Sequence, residues 1–72
     1  MADKLTNAMK NAKKFNEELW IQYNAKSMEC YKQGDNIGRD YWSERAYQLI
    51  CENDLIDRDI RKLKEEAAKN AN

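Results

Sequence analysis

Gly34-Asp35-Asn36-Ile37-Gly38-Arg39 is the stretch whose reading decides the fold. It holds both glycines of a 72-residue chain that contains no proline. Glycine and proline are the strongest helix breakers, so breakers confined to one short central segment mark two helical stretches joined by a turn. The β-branched residues are isoleucines and one threonine, with no alternating apolar–polar run, which argues against strands. The chain therefore reads as all-α. The first helix is predicted over residues 3–33, with Asp3 as N-cap and Gly34 as the C′ residue that ends it. The turn takes residues 34–39, and a second helix capped by Asp40 takes residues 40–70. A link this short forces the two helices antiparallel, a hairpin filling one helical domain over residues 1–72. A competing segmentation breaks the second helix near Asn53-Asp54, with Asp54 capping a third helix.

Stepping outward from the turn by three and four residues traces a coiled-coil-like seam on each helix. The first seam visits Leu5, Met9, Ala12, Asn16, Leu19, Tyr23, Lys26 and Cys30. The second visits Trp42, Ala46, Leu49, Asn53, Ile56, Ile60, Leu63 and Ala67. Closing the turn at residues 34–39 pairs Cys30 with Trp42, Tyr23 with Leu49, Ala12 with Ile60 and Leu5 with Ala67. Lys26 is expected to lay its stem over the seam with its ammonium in water. Asn16 and Asn53 fall in adjacent layers, where buried amides fix register and oligomer state, or else they sit at a wet edge of the seam.

The hydrophobic residues are unevenly placed. Near the termini they keep to the seam and its edges. Towards the turn, Trp20, Ile21, Met28, Tyr31, Tyr41, Tyr47, Ile50, Cys51 and Leu55 lie beside or opposite it. A helix that is apolar on several faces is covered on several faces, and two helices cannot do that for each other. A core this small also supplies only about 3–5 kcal/mol, so association often completes such a fold. Pairing of hairpins into a four-helix bundle is the simplest cover, and a different protein is the next. Tyr and Trp are enriched in binding hot spots, which makes Trp20, Ile21, Met28, Tyr31, Tyr41, Tyr47, Ile50 and Leu55 the expected partner-binding residues.

Charge is polarised in the same sense. The net charge is zero, but residues 1–14 and 58–72 carry nine cations against four anions, and residues 15–57 carry four cations against nine anions. In a hairpin the first set gathers at one end. Lys10, Lys13, Lys14, Arg58, Arg61 and Lys62 are the candidate nucleic-acid contacts there, diluted by Asp59, Glu65 and Glu66.

Catalytic chemistry is not legible. The chain has no histidine, which removes the commonest general base and any Ser-His or Cys-His nucleophile. Cys30 and Cys51 fall short of a zinc site, and the glycines lack the context of a phosphate loop. The carboxylates at Glu17, Glu18, Asp54, Asp57 and Asp59 do not follow a calcium-loop spacing and read as a solvated face. No cofactor, metal or small-molecule substrate is expected, and the chain is read as a non-enzyme. With two cysteines, no signal-like N-terminus and no apolar run of about 18–20 residues, it is expected to be a soluble cytoplasmic protein with free thiols.

Tyr31 to Ala46 has the outline of a tetratricopeptide-type helix–turn–helix, but the period does not recur and the proline of that repeat is missing. The overall plan is similar to the small plasmid-encoded RNA-binding hairpins that dimerise into four-helix bundles, a likeness of architecture with no shared motif. Short length and many asparagines suit a phage or mobile-element protein. The leading expectation is a homo-oligomeric module that binds and modulates, or inhibits, another protein through its aromatic, acidic turn half. The alternative is a small RNA- or DNA-binding hairpin that uses the basic end.

Overall fold

The computed structural model describes residues 2–70, with side chains for residues 4–70. Two helices pack antiparallel, α1 over Ala2–Lys32 and α2 over Asn36–Asn70. The hairpin they form measures 59 × 15 × 10 Å. The all-α, two-helix reading holds. Residue Asp3 lies inside the first turn of α1 rather than capping it, and its side chain falls outside those described.

The turn is tighter than the sequence suggested. Gly34 takes a left-handed conformation at φ 77°. Its N–H donates to the Tyr31 carbonyl at 3.1 Å, and the Asp35 N–H donates to the Cys30 carbonyl at 2.8 Å. These two bonds are a Schellman ending and satisfy carbonyls that the last turn of α1 would otherwise leave bare. Asp35 then caps the next helix at once: its Oδ1 accepts from the Gly38 N–H at 2.9 Å, and its carbonyl accepts from the Arg39 N–H at 3.0 Å. Asp40 is therefore not the N-cap, because the stronger geometry lies five residues earlier. Gly38 allows this closeness. A Cβ there would meet the Asp35 carboxylate and come within 2.9 Å of Cys30 Sγ.

An earlier start for α2 slides the register. Cys30 faces Gly38 rather than Trp42, and Trp42 instead meets Tyr23, with ring centroids 5.3 Å apart. Further along, Asn16 bonds Asn53 and Lys13 bonds Asp57. The pairing of Cys30 with Trp42 and its companions is thus corrected by about one helical turn. The three-helix alternative is corrected too. Residue Asn53, read as the possible break, points into the seam and donates to the Lys13 carbonyl at 3.2 Å, and α2 continues through Asp54 unbroken.

The seam itself is rotated on α1. Leu5, Ala12 and Lys26 are exposed, while Thr6, Lys13 and Ser27 turn inward beside Met9, Asn16, Leu19, Tyr23 and Cys30. On α2 the seam is as expected from Trp42 to Leu63, and Ala67 is exposed. Small side chains explain the rotation: Ser27, Ser43, Ala46 and Gly38 let the helices approach, which a lysine at the centre of the seam would prevent. Lys26 sits at the rim with Nζ 4.6 Å from the Trp42 ring, a cation over an aromatic face.

What the two helices bury is little. Among the described residues, the buried hydrophobic side chains are Ala46 and Ile60, joined by two polar ones, Asn16 and Ser27. Ser27 Oγ lies 2.7 Å from Ser43 Oγ and 3.0 Å from the Arg39 carbonyl, so its polar atom is satisfied. The interior is a narrow seam in which half-buried apolar side chains such as Met9, Leu19, Leu49, Ile56 and Leu63 are joined by a few hydrogen-bonded polar layers.

Candidate interaction surface

Every residue expected to bind a partner is solvent-exposed, and most of them share one face. Along that face runs a shallow groove. Its middle is lined by Trp20, Leu49 and Ile50 with the Asn16–Asn53 pair, Glu17 and Asp54. Towards the turn a separate hollow on the same face is lined by Asn24, Ser27, Met28, Tyr31, Arg39 and Ser43. Towards the termini Lys10, Lys13, Arg58, Arg61 and Lys64 line the groove, with Asp54 and Asp57 among them.

Helical geometry assigns the remaining candidates. Side chains one heptad apart on these helices share a face. Ile21 precedes Met28 by one heptad and Tyr47 precedes Asp54 by one, which places both on the grooved face. Tyr41, Gln48, Leu55 and Lys62 form a separate line that contributes to no part of the groove. Tyr41 instead packs edge-on against Trp42, centroids 5.0 Å apart and planes at 82°. Trp20, Ile21, Met28, Tyr31, Tyr47 and Ile50 thus form one surface, while Tyr41 and Leu55 lie on the outer side of α2. Ile37, which the sequence placed in the turn, lies in the first turn of α2 and is 86% exposed.

The basic candidates divide in the same way. Lys10, Lys13, Arg58 and Arg61 meet at one end of the groove; Lys62 falls on the outer line, and Lys14, one heptad before Ile21, shares the grooved face without lining that end. Lys64, counted among the terminal cations but not among the candidate contacts, joins the group, one heptad after Asp57. Lys13 is not a free cation. Its Nζ donates to Asp57 Oδ1 at 2.7 Å, and that hydrogen bond holds the lysine pKa above its usual value. Tyr47 is also held above the usual phenol value, first by its interaction with Cys51 one turn on and then by the nearby Asp54 charge.

Cys30 is half-buried against Gly38, and Cys51 is exposed. Gly38 and Cys51 are separated by about 20 Å of helix at 1.5 Å per residue, far beyond disulfide reach. Among the described residues no group of three or more His, Cys, Asp or Glu side chains is arranged to hold a metal. No helix of those residues is long and apolar enough to cross a membrane. No family model, curated protein or solved structure matches the chain.

Proposed function

We propose that this protein is a non-enzymatic interaction module that binds and modulates another protein through its aromatic, acidic turn half, and that it works as a homo-oligomer. One observation carries the reading. Eleven large hydrophobic side chains are between 38% and 86% exposed, against only two buried hydrophobic residues among those described. Nine of the eleven lie between Trp20 and Leu55. Scattered exposed hydrophobes are ordinary on soluble proteins, but a contiguous aromatic face marks an interaction site. Tyr and Trp are also the side chains that most often anchor such sites.

A second reading, nucleic-acid binding by the basic end, is favoured by the five cations that line one end of the groove. Two observations weigh against it. Asp54 and Asp57 sit among those cations, and Lys13 is already occupied by Asp57. Phosphate binding draws on free cations; Lys13 is taken, and the Asp54 carboxylate lowers the positive potential around the other four.

The two readings separate in one experiment with two variants. The first carries Tyr47→Glu and Ile50→Glu; the second replaces Lys10, Arg58, Arg61 and Lys64 by glutamine. Each is used with the wild type to capture binding proteins from extract of the native host, and each is titrated against labelled duplex DNA and RNA at two salt concentrations. The proposal predicts a captured protein that is kept by the second variant and lost by the first. Submicromolar duplex binding that vanishes with the cations, and whose log–log salt slope grows by about 0.9 per phosphate contacted, would overturn it.

A further inference from the structure

We propose that the grooved face is covered by a second copy of this chain lying antiparallel to the first, with the two-fold axis crossing the hairpin at the level of Trp20, Tyr47 and Ile50. The inference rests on the self-association read above and adds to it an orientation and an axis.

Hydrophobic matching fixes where the axis falls. Trp20 and Ile50 line the groove together, one turn from the asparagine pair on the side of the hairpin turn, and helical spacing puts Tyr47 one turn beyond Ile50. A two-fold axis across the hairpin, in the plane between the copies, sets α1 against the partner's α1 and α2 against the partner's α2. At this level Trp20 meets its own counterpart and Tyr47 meets the partner's Ile50. Apolar surface then lies on apolar surface, as the core of an interface requires.

Charge fixes the orientation. The terminal end of the hairpin has a surplus of five positive charges and the rest a surplus of five negative ones. A parallel pair would stack the two basic ends, bringing Lys10 over the partner's Arg61, and like charges juxtaposed across an interface are repulsive. The antiparallel pair instead carries each basic end over the other copy's turn end, residues 21–48, where four cations and four anions balance. Counted from Trp20, the Tyr31 ring comes level with the partner's Met9 and its neighbour Lys10, and the lysine suits a cation–π contact.

Area is adequate. With this axis the copies overlap over about 40 Å of helix, counted at 1.5 Å per residue. On a hairpin 15 Å wide that is about 600 Å² per copy in flat projection. Accessible area on a side-chain-covered surface exceeds its projection, so the overlap approaches the ~800 Å² per partner of a standard interface. Tyr41 and Leu55, on the outer side of α2, stay uncovered in this dimer and remain for a foreign protein.

Distances between spin labels test the orientation. Gln33→Cys at the turn and Asn7→Cys near the other end are made separately, each with Cys30→Ala and Cys51→Ser. Both sites are exposed, and Asn7 is remote from the turn, so one result survives if the other variant disturbs the hairpin. The proposal predicts about 40 Å between the two copies' labels at each site, from the helix rise on either side of the axis. Distances below about 20 Å at both sites would mean a parallel pair; the orientation would fail while self-association stood. Unequal distances would displace the axis and overturn the proposal. No dipolar coupling, with a monomer in sedimentation of the unlabelled wild type, would overturn this inference and the self-association beneath it together.

Discussion

Asn16 and Asn53 face each other across the helix pair, with 3.0 Å from Nδ2 of the first to Oδ1 of the second. Asn53 passes the interaction on by donating to the Lys13 carbonyl at 3.2 Å, and Asn16 is only 8% exposed. The amides occupy the position where a hydrophobic layer would otherwise lie. Shifting the helices by one residue would break both bonds and leave polar atoms buried without partners, so this pair fixes the register that the apolar seam only suggests.

Asn16→Ala should therefore destabilise the hairpin by about 1–3 kcal/mol, the usual cost of stranding a buried polar group. Replacing both asparagines by leucine should behave differently. Stability should equal or exceed wild type, while the single oligomeric species gives way to a mixture. Thermal melts followed by circular dichroism, with sedimentation velocity on the double variant, read both effects. An unchanged melt for Asn16→Ala would show that the pair has no structural weight.

Gly38→Ala should lower stability, opposite in sign to the gain of about 0.5–1 kcal/mol usual for glycine to alanine inside a helix. The added methyl displaces the Asp35 carboxylate from the Gly38 N–H and presses on Cys30 Sγ. Losing an N-cap costs about 1 kcal/mol. Urea denaturation of the variant beside the wild type decides it, and a stabilised Gly38→Ala would mean the turn relaxes freely.

How much of this was legible in the sequence follows from particular residues. Two glycines in a proline-free chain gave the two helices and the turn between them. They could not tell which of Asp35 and Asp40 caps α2, since both are good N-caps and the choice depends on whether the chain can close tightly. That depends in turn on Gly38 standing against Cys30, a contact between distant positions. The same limit hid the role of Ser27. A three-four stepping rule prefers Lys26 or Ser27 by hydrophobic neighbourhood, and neither is apolar; only the partner at Ser43 shows that the serine is the one to bury. The exposed aromatic residues were visible from their surplus alone. Their division into a grooved face and an outer line required the register, which the misplaced cap had shifted.

Lys13 supplies a pH signature. The Asp57 carboxylate holds its ammonium above the usual 10.5, so the folded state binds that proton more tightly than the unfolded chain. Such a group stabilises fully below the unfolded value, and its contribution is lost as pH rises through the higher folded value. The stability gap between wild type and Lys13→Met should accordingly stay constant from roughly pH 6 to 9 and close only above about pH 10.5. Denaturant titrations across that range check it, and a gap that closed near neutrality would point to a different titrating group.

Sedimentation equilibrium on the wild type at tens of micromolar, beside the Tyr47→Glu, Ile50→Glu variant, tests the central claim that the aromatic face is a covered interface. The predicted result is a wild-type mass of twice 8.5 kDa or a higher multiple, falling to the single-chain mass in the variant while its helical circular dichroism signal persists. A wild type that sediments as one 8.5 kDa chain, or a variant that associates as strongly as the wild type, would contradict it.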